Sequence, residues 1–361
     1  MSAAEPNAAT IPARGARLGS TWGAGEVAAV SLIVISAFLA RIYAIDSNGL
    51  ELDDFWNAQL STGRGTVHET VEINLIYHPP AATALSGAPP WWRIAATLEN
   101  VTHPPLFSIV LRFWRSIAGE GDVPMRVLGA LLSSAAIVPL YGVVRALSGR
   151  TAALWAAVLF AIATVPVMVA QQVRPYNLLI LLELIALWIA VHLTPGKAGW
   201  WRLTAFAGVC LAATLTHYFA VPMLAGVWIF AALRLDREGN RRLAVAVGLA
   251  ALTFLILWGP TLARQVSTMR QSANIWLKDR SPHPALATIG RFTEIPGRLI
   301  MTPAPSLPWA SQLSILLILT AGVLARQRRD LVCYLLLFLG TAGFVALLDL
   351  LQTTRMQSLL R

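Results

Sequence analysis

The residues best equipped for chemistry are two adjacent acids, Asp53 and Asp54, in the run Leu50-Glu51-Leu52-Asp53-Asp54-Phe55-Trp56. Two carboxylates beside an aromatic pair could deprotonate a hydroxyl acceptor or hold a divalent cation. They could equally cap the helix that Phe55 to Leu60 would form, because Asp is among the commonest N-cap residues. Arg174, within Gln172-Val173-Arg174-Pro175-Tyr176, offers phosphate a permanent charge and a planar fork, or else snorkels toward lipid headgroups. His103 and His217 could donate to phosphate or sugar hydroxyls, and an ordinary interfacial histidine is an equal reading of each. His78-Pro79-Pro80 reads as loop structure. There is no HExxH or similar metal spacing, no G-x-S-x-G elbow, no Walker loop and no G-x-G-x-x-G run, which removes zinc, serine-hydrolase, ATPase and nucleotide-cofactor readings.

These residues must be positioned by elements of a particular kind. Of 361 residues, 56% are hydrophobic and 13% charged, with a mean hydropathy of +0.62, so a soluble enzyme is excluded. Apolar segments run over about 27–44, 124–145, 151–170, 175–193, 203–217, 219–234, 243–262, 308–325 and 331–350, which predicts nine spans. Large residues at the possible cleavage points make the first an uncleaved signal anchor, with residues 1–25 as a cytoplasmic tail. The loops placed inside carry Arg145, Arg150, Lys197, Arg202, Arg234, Arg237, Arg241, Arg242, Arg326, Arg328 and Arg329, whereas the short loops opposite carry only Arg174. That asymmetry fixes the alternation of every segment. It also accounts for the net charge of +10 through topology and lipid phosphate, with no basic stripe interleaved with aromatics to suggest nucleic acid. Cys210 and Cys333 lie in different apolar segments, so neither a disulfide framework nor a cysteine-based zinc site is supported.

The alternation would swap if residues 103–118 spanned the membrane, so this stretch reads as an interfacial helix. Its polar face would be Ser108, Arg112, Arg115 and Ser116, opposite Phe107, Leu111 and Trp114, with Trp91 and Trp92 anchoring the same loop at the headgroups. Two long outer segments result, 45–123 with a net charge of −5 and 263–307 with +4. Loops of that length rarely lack a function. Glu183 falls near the middle of a span, where an acid is a functional candidate by default; its depth, far from Asp53, favours a structural pair with an arginine or a protonated, hydrogen-bonded acid.

The stretch Ser47 to Ser61, SNGLELDDFWNAQLS, resembles the first outer loop of polyprenyl-phosphate-dependent membrane glycosyltransferases of the GT-C fold, in the protein mannosyltransferase and aminoarabinose-transferase-like group. His103-Pro104-Pro105-Leu106, Gln172 to Tyr176 and Thr216-His217-Tyr218-Phe219 are similar to further segments of that group in the same order. The resemblance implies an all-α polytopic bundle over 26–361, with juxtamembrane helices in the first outer loop. It implies inverting transfer of a sugar from a polyprenyl-phosphate carrier to a lipid, glycan or protein acceptor on the extracytoplasmic face, in a bacterial inner membrane. By position Asp53 is the base, Asp54 orients the acceptor or a cation, and Arg174, Tyr176, His103, His217 and Tyr218 bind substrate. A divalent cation on Asp53 and Asp54 is the one cofactor these acids suggest. A phosphate leaving group departs as a stable anion, so a single base opposite it suffices. A secondary transporter and a non-catalytic lipid-binding subunit are the rivals; no inverted repeat or paired broken spans favour the first. Relative to the resembling enzymes the chain stops early, at Arg361, which predicts a continuing frame, a partner subunit or a second copy.

Overall fold

The computed structural model describes residues 21–67, 74, 76, 80–196, 198–276, 278–300, 316, 319–320, 323, 334, 337 and 339–352. The expected span at 308–325, the far end of the second outer segment, most of the N-terminal tail and the C-terminal residues fall wholly or largely outside them, and the first part of the span at 331–350 falls partly outside. Every regular element among the described residues is helical.

Helix α1 (Ala24–Ile42) is apolar almost throughout, and at its start Glu26 meets Arg145 at 2.8 Å and the Tyr141 hydroxyl at 2.6 Å. A short α2 (Leu52–Leu60) follows, then single turns α3 (Pro80–Thr83) and α4 (Arg93–Ala96), then α5 (Leu106–Ala118). Helices α6 (Asp122–Ala135) and α7 (Ile137–Ser148) form one 27-residue candidate span. Helices α8 (Arg150–Ile162) and α9 (Thr164–Ala170) are bent by 54° at Ala163. Pro166 explains the bend, since it has no N–H for the Ile162 carbonyl and its ring crowds that turn. The freed carbonyls of Phe160 and Ala161 accept instead from Arg41, at 3.1 and 3.0 Å.

Helices α10 (Tyr176–Val191), α11 (Trp200–Thr216) and α12 (Ala220–Ala232) are shorter, and α13 (Arg237–Trp276) runs for 40 residues. The chain continues through α14 (Pro284–Ile300), a π-helical turn at Leu339–Gly343 and α15 (Phe344–Gln352). The core joins α7 and α10 to α13 through Val143, Leu187, Phe206, Val227 and Leu243. A second cluster seats α1 on α7 and α8 through Val30, Ala37 and small residues such as Ala153 and Ala157, which let helices approach closely. Outside the bundle, Leu32, Ile35, Leu39, Trp155, Leu159, Leu252 and Ile256 are exposed. Apolar side chains both within and around the helices are what a bilayer solvates.

Among the described residues three helices are long and apolar enough to cross a membrane, over Ala24–Ile42, Asp122–Ser148 and Arg237–Gln271, with the bent α8–α9 pair as a fourth. The remaining described segments of the expected nine are helical but shorter than a full crossing. Two further differences from the sequence reading are local. Residues 263–276 continue α13, and 284–300 form α14, so much of the basic outer segment is helix; between Thr261 and Trp276 there is neither Gly nor Pro to end it. In α5 the expected division into a polar and an apolar face does not hold, with Ser116 exposed and Arg112 half-buried. Ser108 and Arg115 are buried together with Phe107 and Leu111, whereas Phe113 and Ile117 are exposed. Arg115 is drawn in by acceptors, donating to the Ala58 carbonyl at 2.8 Å, Ser61 Oγ at 2.7 Å and the Thr83 carbonyl at 2.6 Å. Trp91 and Trp92 are exposed, and Trp91 packs on the Phe113 ring at 5.7 Å.

Candidate active site

The site is assembled at the end of the bundle opposite the Glu26–Arg145 pair. Arg126, buried on α6, donates to the carbonyls of Ile45 (2.7 Å), Asn48 (2.6 Å) and Gly49 (2.6 Å), fixing the strand of chain that leads into α2. Asp53 and Asp54 then occupy the first turn of α2, where the helix dipole favours negative charge. Neither is the N-cap; that position is Glu51, whose side chain makes no capping bond. Behind α2, Arg112 donates to the Thr62 and Pro89 carbonyls and Arg64 to those of Ala84 and Ser86. The arginines of the acidic outer segment thus hold its backbone in place.

Facing α2 is the turn between α9 and α10. Gly129 on α6 lets this turn pack close: a Cβ there would stand 2.5 Å from the Ala170 carbonyl oxygen and 3.2 Å from that of Gln172. Gln171 ties the turn to the end of α1 through the Arg41 and Tyr43 carbonyls. The Val173 N–H donates to Asp54 Oδ1 at 3.0 Å, and Arg174 Nε approaches the same oxygen at 3.3 Å. Arg174 Nη1 donates to Asp53 Oδ2, and Nη2 lies 3.5 Å from Glu51 Oε2. One guanidinium therefore serves three carboxylates. They differ in exposure, with the side chain of Asp54 at 1%, Asp53 at 43% and Glu51 at 62%. Burial pushes the Asp54 carboxyl above the usual Asp range, and the charge of Arg174 with the Val173 N–H opposes that rise.

The two histidines complete the wall. The rings of His103 and His217 lie 5.0 Å apart, Tyr176 is 5.5 Å from His217, and Phe219 is 4.8 Å from it on another side. His217 Nδ1 accepts the Phe219 N–H at 3.1 Å, so in the neutral ring the proton sits on Nε2. His103 Nδ1 is buried without a partner. Burial, and then the charge of Arg174, hold His103 down to about 4, with Asp53 pulling the other way, so this imidazole is neutral beside the acids. Tyr218 is directed elsewhere: its hydroxyl accepts from Trp258 Nε1 at 2.7 Å and donates to Gln265 Oε1.

Of the residues read from the sequence, Asp53, Asp54, Arg174, His103, His217 and Tyr176 come together, and Tyr218 belongs to an adjoining network. Glu51 and Gln265 were not legible as participants; Glu51 carried the weak signal of a third acid in the run, and Gln265 carried none. Glu183 is half-buried on α10, and among the described residues no ion pair engages it, so of the two structural readings the arginine pair is not found there. Among the described residues no group of three or more His, Cys, Asp or Glu side chains is arranged to hold a metal, and the cation between Asp53 and Asp54 is Arg174 itself.

An arginine turn, a histidine wall and paired acids thus meet at one end of an apolar bundle. Residues 102–263 match the family model of dolichyl-phosphate-mannose-protein mannosyltransferases. The resemblance read from the sequence is thereby met by an independent likeness, and the mannosyltransferase match supports a membrane glycosyltransferase of GT-C type. No curated protein matches the chain. The mannosyltransferase-like stretch includes His103, Arg174, Tyr176, His217 and Tyr218, whereas Asp53 and Asp54 precede it and Gln265 follows it.

Proposed function

We propose that the protein transfers a sugar from a polyprenyl-phosphate carrier to a hydroxyl acceptor, with inversion, at the extracytoplasmic surface of a bacterial inner membrane. The observation that carries this reading is the meeting of a half-exposed Asp53 with Arg174 and the two histidines, beside a stretch that matches a mannosyltransferase family. The acceptor hydroxyl attacks the anomeric carbon, its proton passes to the Asp53 carboxylate, and the carbon–oxygen bond to phosphate breaks with the electron pair leaving on the phosphate. Asp53 suits the task because it is the acid of the pair that solvent and substrate can reach. Asp54, buried on the Val173 N–H, positions the turn that carries Arg174.

Arg174 is outnumbered by carboxylates, so its first role is to orient Asp53; the donor phosphate then draws on the basic segment from Arg264 to Arg298 as well. His103, His217 and Tyr176 supply neutral donors and flat faces to substrate. We assign nine spans with a cytoplasmic N-terminus to the chain, the GT-C-like domain covering 26–361, on the strength of the basic-residue asymmetry. The test offers radiolabelled polyprenyl-phosphate sugars and hydroxyl acceptors to the purified protein. Transfer supports the enzyme, binding without transfer a lipid-binding subunit, and neither a transporter. Asp53→Asn should retain donor binding and lose on the order of 10² in turnover, the scale of a missing general base. A wild-type rate in that variant removes Asp53 from the role.

A further inference from the structure

We propose that Gln265, beyond the mannosyltransferase-like stretch, is a positioning residue that holds His103 against the acid cluster. Gln265 is fully buried on α13, although Arg264 and Ser267 beside it on that helix are exposed. Its Nε2 donates to the Leu98 carbonyl at 2.6 Å and the His103 carbonyl at 3.2 Å, and its Oε1 accepts from Tyr218, whose oxygen in turn accepts from Trp258. The two carbonyls settle which end of the amide is nitrogen. This one side chain therefore joins three separate pieces of chain: the outer part of α13, the loop that carries His103, and the turn that carries His217. The Leu98 carbonyl also accepts the Val101 N–H at 3.2 Å, so Gln265 adds a second, long-range donor to the end of a local turn. One position earlier, Arg264 meets Glu99 at 2.9 Å, a second tie between the same two segments that is exposed and correspondingly weak.

Among the described residues the imidazole of His103 has no hydrogen bond at Nδ1, so its placement rests on the His217 ring and on its own backbone, and that backbone is held by Gln265. The consequence for catalysis rests on the function proposed above; the consequence for His103 does not. The experiment uses the full chain in detergent or nanodiscs, treated with diethyl pyrocarbonate, which acylates neutral imidazole nitrogen. Peptide mass spectrometry follows His103 against the exposed His283 as internal control. Gln265→Leu keeps bulk and removes the amide; Gln265→Glu keeps the acceptor for Tyr218 and loses the donors to both carbonyls. In each, His103 should react on the order of tenfold faster, the equivalent of one lost hydrogen bond, with His283 unchanged. Tyr218→Phe, which spares both donors, should change His103 less than either. In the transfer assay Gln265→Leu should lower turnover and add nothing further in a His103→Ala background. An unchanged His103 rate in folded Gln265 variants overturns the assignment, as do losses that multiply between Gln265→Leu and His103→Ala. Should Gln265→Leu not fold, Gln265→Glu and Gln265→Asn carry the same comparison. If wild-type protein transfers no sugar, the functional reading falls and the labelling result still decides for Gln265.

Discussion

Replacing Arg174 by Gln removes the guanidinium that Glu51, Asp53 and Asp54 share, and the structure indicates which of the three losses matters. Glu51 and Asp53 are exposed by 62% and 43%, so each of those pairs is worth about 0–1 kcal/mol after solvent screening. Asp54 is different, because its side chain is 1% exposed and cannot recover water when its cation leaves. Stripping the partner from a buried ion costs about 3–5 kcal/mol, and the retained Val173 N–H places Asp54 near the lower end, about 3 kcal/mol. For a chain of this size that corresponds to a drop in Tm of about 4 °C. Thermal unfolding of wild type, Arg174→Gln, Asp54→Asn and the double variant in the same detergent forms a cycle, in which coupling above roughly 2 kcal/mol is expected. The pH dependence has a definite sign. An acid whose folded pKa is raised favours the folded state at low pH, and that contribution is lost as pH rises through the folded value. Without Arg174 the folded value rises further, so the deficit of Arg174→Gln should shrink on acidification. A variant within about 1 °C of wild type, or one strictly additive with Asp54→Asn, would refute the claim that this guanidinium holds the buried acid.

Two further outcomes follow from residues already described. His103 is held down to about 4 from an ordinary 6.5, so the unfolded chain takes up a proton that the folded one refuses; stability is present above pH 6.5 and declines by about 3 kcal/mol as pH falls toward 4, a decline that His103→Asn should abolish in a Tm-versus-pH series. For topology, single cysteines at Ser86 and Arg241 in a cysteine-free background should divide cleanly, with an impermeant thiol reagent labelling the first and not the second from outside; the reverse pattern would invert the assigned orientation.

What the sequence made legible was mostly local. Asp53, Arg174, His103 and His217 each stand where an apolar run gives way to a short polar motif, and charge asymmetry assigns all four to one end. Gln265 shows why the rest stayed hidden: it is a single amide in a long helix, and its partner Leu98 lies 167 residues away. The orientation of α5 failed for another reason. Helical spacing identifies the face that carries Ser108 and Arg115, but a face lined by free carbonyls accepts an arginine as water does, so periodicity alone does not say which medium it meets. The extension of α13 was missed because hydropathy falls at Arg264, whereas a helix ends only where a breaker or a competing bond ends it. Nor does hydropathy register the bend at Ala163, since the apolar run passes through it unbroken.

The three carbonyls that hang from Arg126 give α6 and α7 the character of a ruler. From Arg126 to Ser148 the helix axis measures about 33 Å, close to the roughly 30 Å of bilayer hydrocarbon. The height of the carboxylates is therefore graduated in helical turns and not in lipid. In a thinner or thicker bilayer the bundle tilts or the lipid adjusts, and the acids keep their distance from the far end of the helix while the membrane surface shifts beneath them. On the function proposed above, a reactant carried on a lipid tail would follow the surface, whereas Asp53, tied through Arg126 to α6, would follow the ruler. Bilayer thickness would then be one coordinate of the reaction geometry, set by the membrane in which the chain is placed.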